Sequence, residues 1–315
     1  MTSKKMRQQF ADTMLEIGTR DPKLAVLIGD ISHFILQPFA KACPGRFYNV
    51  GICEPTIISM AAGLSKTGLH PVVHTIAPFI LERSFEQIKL DFCYQGLSGN
   101  IITVGSAFDY ANLGCTHHCY DDFALMKSLP RTQIIYPASV EEFDLLFKET
   151  YNNDHLTLFR LPERQHEQVL DPSLIKLGVA IRLTEGHDLT IIAAGPQLKN
   201  AVLARQQLAL QSKSVEIIYI PTIHPLDAKT IYQSVAKTKR VIVIEEHNIF
   251  GGVGDDVSKI VMSIPGVQII NLGIKGFIRG YGRYEQLCQG AGLSQEGILE
   301  AAGKIFHSNN ESRLV

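Results

Sequence analysis

The chain has 315 residues, of which 45% are hydrophobic and 19% charged, with a formal net charge of −1 and six cysteines. It has no basic stripe, no apolar run long enough to span a bilayer and no signal-peptide core, which argues against nucleic acid and membranes as partners. Scattered cysteines are typical of reduced thiols, so we expect a cytoplasmic protein with room for two domains.

Short apolar runs alternate with longer helical patterns along the first half of the chain. The predicted strands are 24–29, 72–74, 101–104, 133–136 and 156–159, and the predicted helices are 5–19, 56–67, 79–93, 121–128 and 139–151. Because these strands are apolar throughout and separated by helices, they favour a parallel sheet that is covered on both faces.

The alternation restarts after a polar stretch that begins at Glu163. The second half has predicted strands at 189–194, 215–220, 241–244 and 267–270 and predicted helices at 196–211, 226–236, 253–263 and 294–306. The sequence therefore predicts an α/β protein with two domains, each a mostly parallel sheet flanked by helices. The predicted domains are residues 1–165 and 186–315, and the linker is 166–185.

Glu54 is the first candidate for chemistry. It follows the segment 47–53 and precedes an apolar run of small residues, a pattern that predicts a strand-to-helix turn with a carboxylate among water-excluding residues. A carboxylate in such a place can share or donate a proton at neutral pH. The structural alternative is a first-turn Glu favoured by the helix dipole, and spacing alone favours neither interpretation.

Other polar residues also lie where predicted strands end. In an open parallel sheet the ligand-facing loops lie at the carboxyl ends of the strands. Asp30, Glu54, the residues after His74, the loop 105–118 and Arg160 occupy such positions. We therefore expect them at one edge of the sheet, although each alone could be a cap or a surface residue.

The loop 105–122 is long for an α/β connection, which is typical of a functional loop. It contains Cys115, His117, His118 and Cys119. Their close spacing does not match the separated ligand pairs of structural zinc sites, so we predict no metal site here. His117 and His118 could instead hydrogen-bond a substrate oxygen or shuttle a proton.

Phe79 and Arg83 follow the third strand exit. They could form an aromatic wall for a flat heterocycle and a guanidinium aimed at an anion. The residues alone favour helix core for Phe79 and a solvated helix face for Arg83.

The glycines of segment 250–254 follow the predicted strand that leads to Glu245. They resemble a phosphate-cradling turn, but the GxGxxG spacing is absent. A turn that allows close contact between domains is the favoured interpretation.

Together these motifs resemble the carboxyl-terminal two-thirds of transketolase-like, thiamine-diphosphate-dependent enzymes. The similar segments are 49–54 (Gly-x-x-Glu), 114–118 (Gly-x-Thr-His), 136–138, 225–227, 245–247 and 251–254. The resemblance covers nearly the whole chain and implies a pyrimidine-binding domain followed by the family's carboxyl-terminal domain. The family's metal–diphosphate motif, Gly-Asp-Gly…Asn, belongs to a further domain that we do not find in this sequence.

The resemblance therefore implies one subunit of a split transketolase, active only with a separate amino-terminal subunit. Thiamine diphosphate would be shared with that partner, which would bind Mg²⁺ or Ca²⁺ at the diphosphate. Self-association would give a dimer of heterodimers, a heterotetramer. The reaction would move a two-carbon ketol unit from a phosphorylated or otherwise anionic ketose to an aldose.

The resemblance also assigns roles to single residues. Glu54 would hydrogen-bond the pyrimidine nitrogen, and His117 would contact hydroxyls or the carbonyl of the donor. The further expected contacts are Phe79, Asp30 and Ile76 to the cofactor, and His118, Arg83, Arg160 and Arg7 to the substrate.

Leu113 stands where the family has an Asp that contacts a sugar hydroxyl, which leaves the substrate open. Two related alternatives are a deoxyxylulose-phosphate-synthase-like and a 2-oxoacid-dehydrogenase beta-like carboligase subunit. A third is a non-catalytic regulatory subunit that keeps the fold without the chemistry.

Overall fold

The computed structural model describes residues 4–105 and 107–311, with side chains described as far as His307. Two mostly parallel sheets with helices packed against them make up the protein, which confirms the predicted fold class. Ser106 of the predicted functional loop lies outside the described residues, as do 1–3 and 312–315 of the predicted domains.

Among the residues that the structure describes, six strands of the first half form a wholly parallel arrangement. They are β1 (Leu24–Ile28), β2 (Phe47–Asn49), β3 (His70–Ile76), β4 (Gly99–Val104), β5 (Thr132–Ile135) and β6 (Leu156–Leu161). Their order across the sheet is β5-β6-β4-β3-β1-β2, and all neighbours are parallel. β1 and β4 are buried along their whole length, as expected for strands covered on both faces.

Within the described part of the first half, seven α-helices accompany these strands: α1 (Met6–Arg20), α2 (Gln37–Ala42), α3 (Glu54–Lys66), α4 (Ala77–Leu81), α5 (Phe85–Gln87), α6 (Asp122–Lys127) and α7 (Val140–Thr150). The predicted helix 79–93 is in fact broken into α4, α5 and a π-helical turn, Ile88–Cys93. Between α4 and α5 the Ser84 hydroxyl donates to the Phe79 carbonyl at 3.3 Å, a local bond that competes with helical pairing.

The second half supplies β7 (Ile181–Thr184), β8 (Leu189–Ala194), β9 (Val215–Ile220), β10 (Thr222–His224), β11 (Arg240–Asn248) and β12 (Gln268–Ile274). The second sheet has the order β12-β11-β8-β9-β7 and is parallel except for its edge strand β7. Its helices are α8 (Leu198–Leu210), α9 (Ala228–Thr238), α10 (Val253–Val261), α11 (Tyr284–Gly290) and α12 (Gln295–Glu311).

The structure corrects the predicted linker, because β7 lies within 166–185 and pairs antiparallel with β9. Its pattern is short and only Ile181 is buried, so it has little sequence signal. β10 belongs to the second half of the chain but pairs antiparallel with β5, so it extends the first sheet. The predicted second domain, 186–315, therefore contributes one strand to the other sheet.

The two sheets share an extensive buried contact. Phe123 of the first half stacks on His247 of β11 with parallel rings and centroids 4.8 Å apart. Gly195 has φ +58 and lies so close to Tyr136 that an added Cβ would be 2.2 Å from its ring. No described helix is both long and apolar enough to cross a membrane.

Candidate active site

The carboxyl ends of β2, β1, β3, β4 and β6 lie side by side at one edge of the first sheet. Asp30 follows β1, Ile76 ends β3, and the loop that begins at Gly105 follows β4. Glu54 begins α3 after the turn that leaves β2. The structure therefore brings these strand-exit residues to a common edge, because parallel strands have their carboxyl ends at the same edge of the sheet.

Glu54 is almost completely buried, with 1% of its surface exposed. Pro55 in the first turn of α3 favours helix initiation at this position, and the helix dipole favours a carboxylate there. Nη1 of Arg83 donates a hydrogen bond of 2.8 Å to Oε2 of Glu54. Since a buried carboxylate is costly unless it is paired, Arg83 compensates for the burial of Glu54.

Aromatic rings border this ion pair. The guanidinium carbon of Arg83 lies 4.6 Å from the centroid of the Phe79 ring. His117 meets Phe79 edge to face, with centroids 5.1 Å apart, and lies 5.9 Å from Tyr110. We call Glu54, Arg83, Phe79, His117 and Tyr110 the acid–aromatic cluster. It offers a flat heterocycle both an aromatic face and a hydrogen-bonding acid.

A cavity of about 810 Å³, here called the edge cavity, opens at the same edge and is large enough for a small molecule. Asp30 lines it in a left-handed conformation, φ 62. Asn49 secures Asp30, because its Nδ2 donates to Oδ1 at 3.0 Å and its Oδ1 accepts the Asp30 N–H at 3.1 Å. The other lining residues are Lys5, Met6, Arg7, Gln8, Ser32, His33, Phe34, Ile35, Val104, Leu161, Pro162, Glu163 and Arg164.

Arg7 lies in the wall of the edge cavity and donates to Glu163 at 3.0 Å. The Glu163 backbone N–H donates to Oδ2 of Asp109 at 2.8 Å. Asp109 belongs to the loop that carries His117, so these bonds connect the cavity wall to that loop. Arg7 is therefore positioned at the cavity, but a carboxylate already neutralises it.

His74 is a buried neighbour of the cavity for which the sequence analysis predicted no role of its own. Its Nδ1 lies 2.9 Å from the Ile102 carbonyl, which can only accept, so Nδ1 carries the proton. Nε2 then accepts from the hydroxyl of Ser32 at 2.8 Å. Burial lowers the pKa of His74 to about 3, so the imidazole is neutral and fixes Ser32 in the cavity wall.

Arg160 does not face a ligand, which corrects the expectation that it contacts an anionic substrate. Its side chain is completely buried, and its Nε lies 3.1 Å from Oδ2 of Asp122. Nη2 donates to the carbonyl oxygens of Cys119 at 2.7 Å and Glu246 at 3.0 Å. Because Glu246 belongs to β11, Arg160 connects the two halves of the chain.

His118 is also removed from solvent, with 3% of its surface exposed. Its ring contacts Phe108 edge to face, with centroids 6.0 Å apart. Burial lowers the pKa of His118 and favours the neutral ring. Of the two adjacent histidines, only His117 reaches the acid–aromatic cluster.

The glycine turn 250–254 after β11 holds the carboxylate of Glu245 rather than leaving space for a phosphate. The backbone N–H groups of Val253 and Gly254 donate to the Glu245 carboxylate at 2.7 and 2.8 Å, and burial raises the pKa of Glu245 to about 7. Gly251 has φ +72, and an added Cβ would lie 2.6 Å from Cβ of Ala124 in the first half. The turn therefore serves close domain contact, as the sequence favoured.

The cysteine–histidine segment 115–119 does not form a metal centre in the structure. Within residues 4–105 and 107–311, no three His, Cys, Asp or Glu side chains converge as metal ligands. Cys115 is exposed, whereas Cys119 is buried.

Sequence reasoning missed the polar residues that complete the edge cavity: Ser32, His33, Glu163 and Arg164. Each follows a strand by only a few residues, so the rule that selected Asp30 could have found them. Glu163 and Arg164 were instead assigned to the polar stretch between the domains.

Comparison with known proteins gives consistent similarities. Residues 2–168 match the transketolase pyrimidine binding domain, and residues 178–298 match the transketolase C-terminal domain. The chain is 30% identical over 299 residues to an apulose-4-phosphate transketolase subunit of Phocaeicola vulgatus, and the match covers 94% of this chain and 96% of that protein. It is 26% identical to the 6-deoxy-6-sulfo-D-fructose transketolase subunit SqwH of Clostridium sp. (strain MSTE9), over 97% of this chain and 95% of that protein.

A longer protein and a solved structure are also similar. The 1-deoxy-D-xylulose-5-phosphate synthase of Desulfotalea psychrophila is 30% identical, and the match covers 96% of this chain but 48% of the synthase. A structure described as a split gene transketolase, inactive beta4 tetramer, superposes with a TM-score of 0.85 at 27% identity. That match covers 96% of this chain and 98% of the other.

Proposed function

The chain belongs to the transketolase family, and from this membership we propose that it is the carboxyl-terminal subunit of a split transketolase. The proposed complex transfers a two-carbon ketol unit from a ketose to an aldose with thiamine diphosphate as cofactor. The acid–aromatic cluster is the observation that carries the proposal. It places a buried carboxylate, an aromatic ring and an imidazole together at the carboxyl edge of a parallel sheet.

The residues of this edge fit the pyrimidine end of the cofactor. Glu54 offers a water-excluded carboxylate to a ring nitrogen, and Phe79 offers a surface for stacking. Asp30 and Ile76, at neighbouring strand exits, are proposed as further contacts. Bound thiamine diphosphate would supply the nucleophilic carbon that takes up the two-carbon unit.

Within this proposal, the chain's own residues control protons and orientation. Glu54 shares a proton with the ring nitrogen, and the surrounding apolar residues keep that proton from exchanging freely with water. His117 holds Nδ1 at 2.9 Å from the Thr116 hydroxyl, and we assign its Nε2 to a donor hydroxyl or carbonyl oxygen.

A separate amino-terminal subunit completes the proposed enzyme and holds the diphosphate with Mg²⁺ or Ca²⁺. Relatives of the same length are named as subunits, whereas the similar synthase is about twice as long. Large apolar side chains are exposed around α3 and the π-helical turn, namely Ile52, Met60, Leu90 and Tyr94. Exposed apolar patches mark interaction sites, which supports a dimer of heterodimers.

The edge cavity is the proposed place for the sugar. Lys5, Arg7 and Arg164 line it together with the acidic Asp30 and Glu163. Although Arg7 is paired with Glu163, the three basic side chains outnumber the two carboxylates, so the wall favours a sugar with an anionic end. The carboxylates favour the hydroxyl groups of that sugar. With Arg160 buried, the anionic end would rely on this cavity rather than on β6.

A carboligase related to 1-deoxy-D-xylulose-5-phosphate synthase is the second candidate, favoured by 30% identity over 96% of the chain. A 2-oxoacid-dehydrogenase beta-like subunit would likewise use an oxoacid donor. A donor screen separates them from a transketolase, because pyruvate is decarboxylated and a ketose is not. A regulatory subunit would support no turnover with any donor.

The decisive experiment reconstitutes the chain with an amino-terminal subunit that carries the Gly-Asp-Gly…Asn motif. Ketol transfer should require both chains, and Glu54→Gln should lower its rate about 10²- to 10⁴-fold, the usual contribution of a general acid or base. Exchange of the cofactor's thiazolium proton, followed by NMR, should slow in parallel.

Glu216→Gln is the matched control, because Glu216 is also buried and paired with an arginine, but lies in the second sheet. Equal loss of exchange in both variants would mean that Glu54 acts only on stability. Full activity of the chain without a partner would contradict the split assignment.

A further inference from the structure

Arg83 makes two contacts that the proposed function assigns to the cofactor. Its Nη1 donates to Oε2 of Glu54 at 2.8 Å, and its guanidinium carbon lies 4.6 Å from the Phe79 ring centroid. A guanidinium is a planar N–C–N unit that stacks on aromatic rings and donates in its own plane. The ring nitrogen and amino group of an aminopyrimidine form a similar planar N–C–N edge.

Arg83 covers the Oε2 side of the Glu54 carboxylate while this arrangement persists. Only 1% of Glu54 is exposed, whereas 49% of the Arg83 side chain is exposed, so Arg83 is the solvent-facing cover of the acid. In residues 4–105 and 107–307, Arg83 is the one side chain with a hydrogen bond to Glu54. A planar group that both stacks on the Phe79 ring and bonds to Oε2 of Glu54 would occupy the position of the guanidinium and must displace it.

The backbone around Arg83 suits such a displacement. Arg83 lies in the turn between α4 and α5, next to Ser84, rather than inside a continuous helix. Because half of its side chain is already in solvent, its departure uncovers the acid without opening the apolar core.

Resting on the proposed function, we infer that Arg83 is an internal stopper that occupies the aminopyrimidine subsite until the cofactor enters. The ligand class follows from the groups that Arg83 imitates: a flat, amidine-bearing heterocycle. The stopper keeps the buried acid paired in the cofactor-free subunit, and cofactor binding replaces one planar N–C–N group by another. Arg83 is thus a gate residue of this site rather than an anion-binding arginine.

The test measures binding of the free ring 4-amino-5-hydroxymethyl-2-methylpyrimidine to the full chain by saturation-transfer NMR. If the open form is at most about a tenth of the population, Arg83→Met should tighten binding tenfold or more. Arg83→Lys, which keeps the charge but loses the planar group, should tighten it less and covers the case in which Arg83→Met fails to fold.

Methylguanidine provides a second readout. Added to Arg83→Met, it should refill the stopper position and weaken binding of the ring, while having little effect on the wild type. A merely structural Arg83 predicts the reverse, since a returned cation would restore the site and strengthen binding. Arg182→Met is the control, because Arg182 also pairs with a buried acid, Glu216, at 2.8 Å, and it should leave binding of the ring unchanged.

The outcomes distinguish failure of the proposed role of Arg83 from failure of the proposed cofactor site. Weaker, equal or undetectable binding of the ring by both Arg83→Met and Arg83→Lys overturns the stopper. If Glu54→Ala still abolishes wild-type binding in that case, the pyrimidine site itself stands. If the ring binds Arg83→Met equally well with and without Glu54→Ala, the proposed cofactor assignment fails instead.

Discussion

Acidification should destabilise this protein through His74, the buried imidazole next to the edge cavity. Burial holds the pKa of His74 at about 3, below its ordinary value of 6.5, because a second proton on the imidazole would place a charge in the interior. A group whose folded-state pKa is lowered in this way takes up its proton on unfolding. Between pH 6.5 and pH 3 the unfolded chain therefore binds more protons, and stability falls as the pH falls.

The size of the effect follows from the two pKa values. Between pH 7 and pH 5 the unfolded imidazole becomes almost fully protonated while the folded one stays neutral, which removes about 2 kcal/mol of unfolding free energy. His247, whose pKa is also lowered to about 3 by burial, should contribute a similar amount. Glu245 and Asp122 have pKa values raised by burial to about 7 and about 6, so they act in the opposite direction.

Because these contributions overlap, the measured quantity is a difference between variants. Urea unfolding of the wild type and of His74→Asn is followed by circular dichroism at pH 7 and pH 5, since the chain has no tryptophan. Asn can keep the donor to the Ile102 carbonyl but cannot be protonated. The variant should be less stable at pH 7, and its deficit should shrink by about 2 kcal/mol at pH 5.

The exposed His187 gives a matched replacement, and His187→Asn should keep the wild-type difference between the two pH values. An unchanged deficit of His74→Asn at pH 5 would refute the reasoning. It would mean that the imidazole is already protonated in the folded protein.

Three further predictions concern the domain contact and the substrate. Arg160→Met should lower the free energy of unfolding, measured by urea titration, by about 3–5 kcal/mol, because it leaves Asp122 buried and unpaired. Adding Asp122→Leu should recover much of that loss. Gly251→Ala should lower the free energy of unfolding more than Gly266→Ala does. Both glycines have φ near +70, but only Gly251 of the two lacks space for a Cβ. Equal losses of about 1 kcal/mol would contradict the close contact between Gly251 and Ala124. Leu113 lies in the 105–122 loop with 45% of its surface exposed, and Leu113→Asp should raise kcat/KM for hydroxyl-rich donors about tenfold, the contribution of one hydrogen bond. Unchanged kcat/KM values in a donor screen would show that this position does not determine specificity.

Much of the fold could be predicted because most local patterns favoured one structural solution, with the broken helix over 79–93 as an exception. Apolar runs of four to six residues between helical segments are short for a helix and favour strands covered on both faces, as β4 and β8 are. The weak patterns were the ones missed. β7 buries one residue, and β10 is three residues long and belongs to a sheet built from the other half of the chain.

The candidate site was also predicted only in part from the sequence. The sequence by itself determined that Asp30, Glu54, Ile76 and the 105–118 loop meet at one edge, because parallel strands bring their carboxyl ends together. It could not determine where charged side chains point, since that depends on partners distant along the chain.

Only the tertiary structure decided which arginines are buried and which acids they pair with. Arg160 lies near the end of β6 and Arg83 lies beyond α4, which follows β3. Arg160 is completely buried against Asp122, whereas Arg83 is half exposed on Glu54. The physical reason is that burying a charge is favourable only where a counter-charge and hydrogen-bond acceptors are already in place. Those partners come from the 119–122 loop and β11 for Arg160, and from the start of α3 for Arg83.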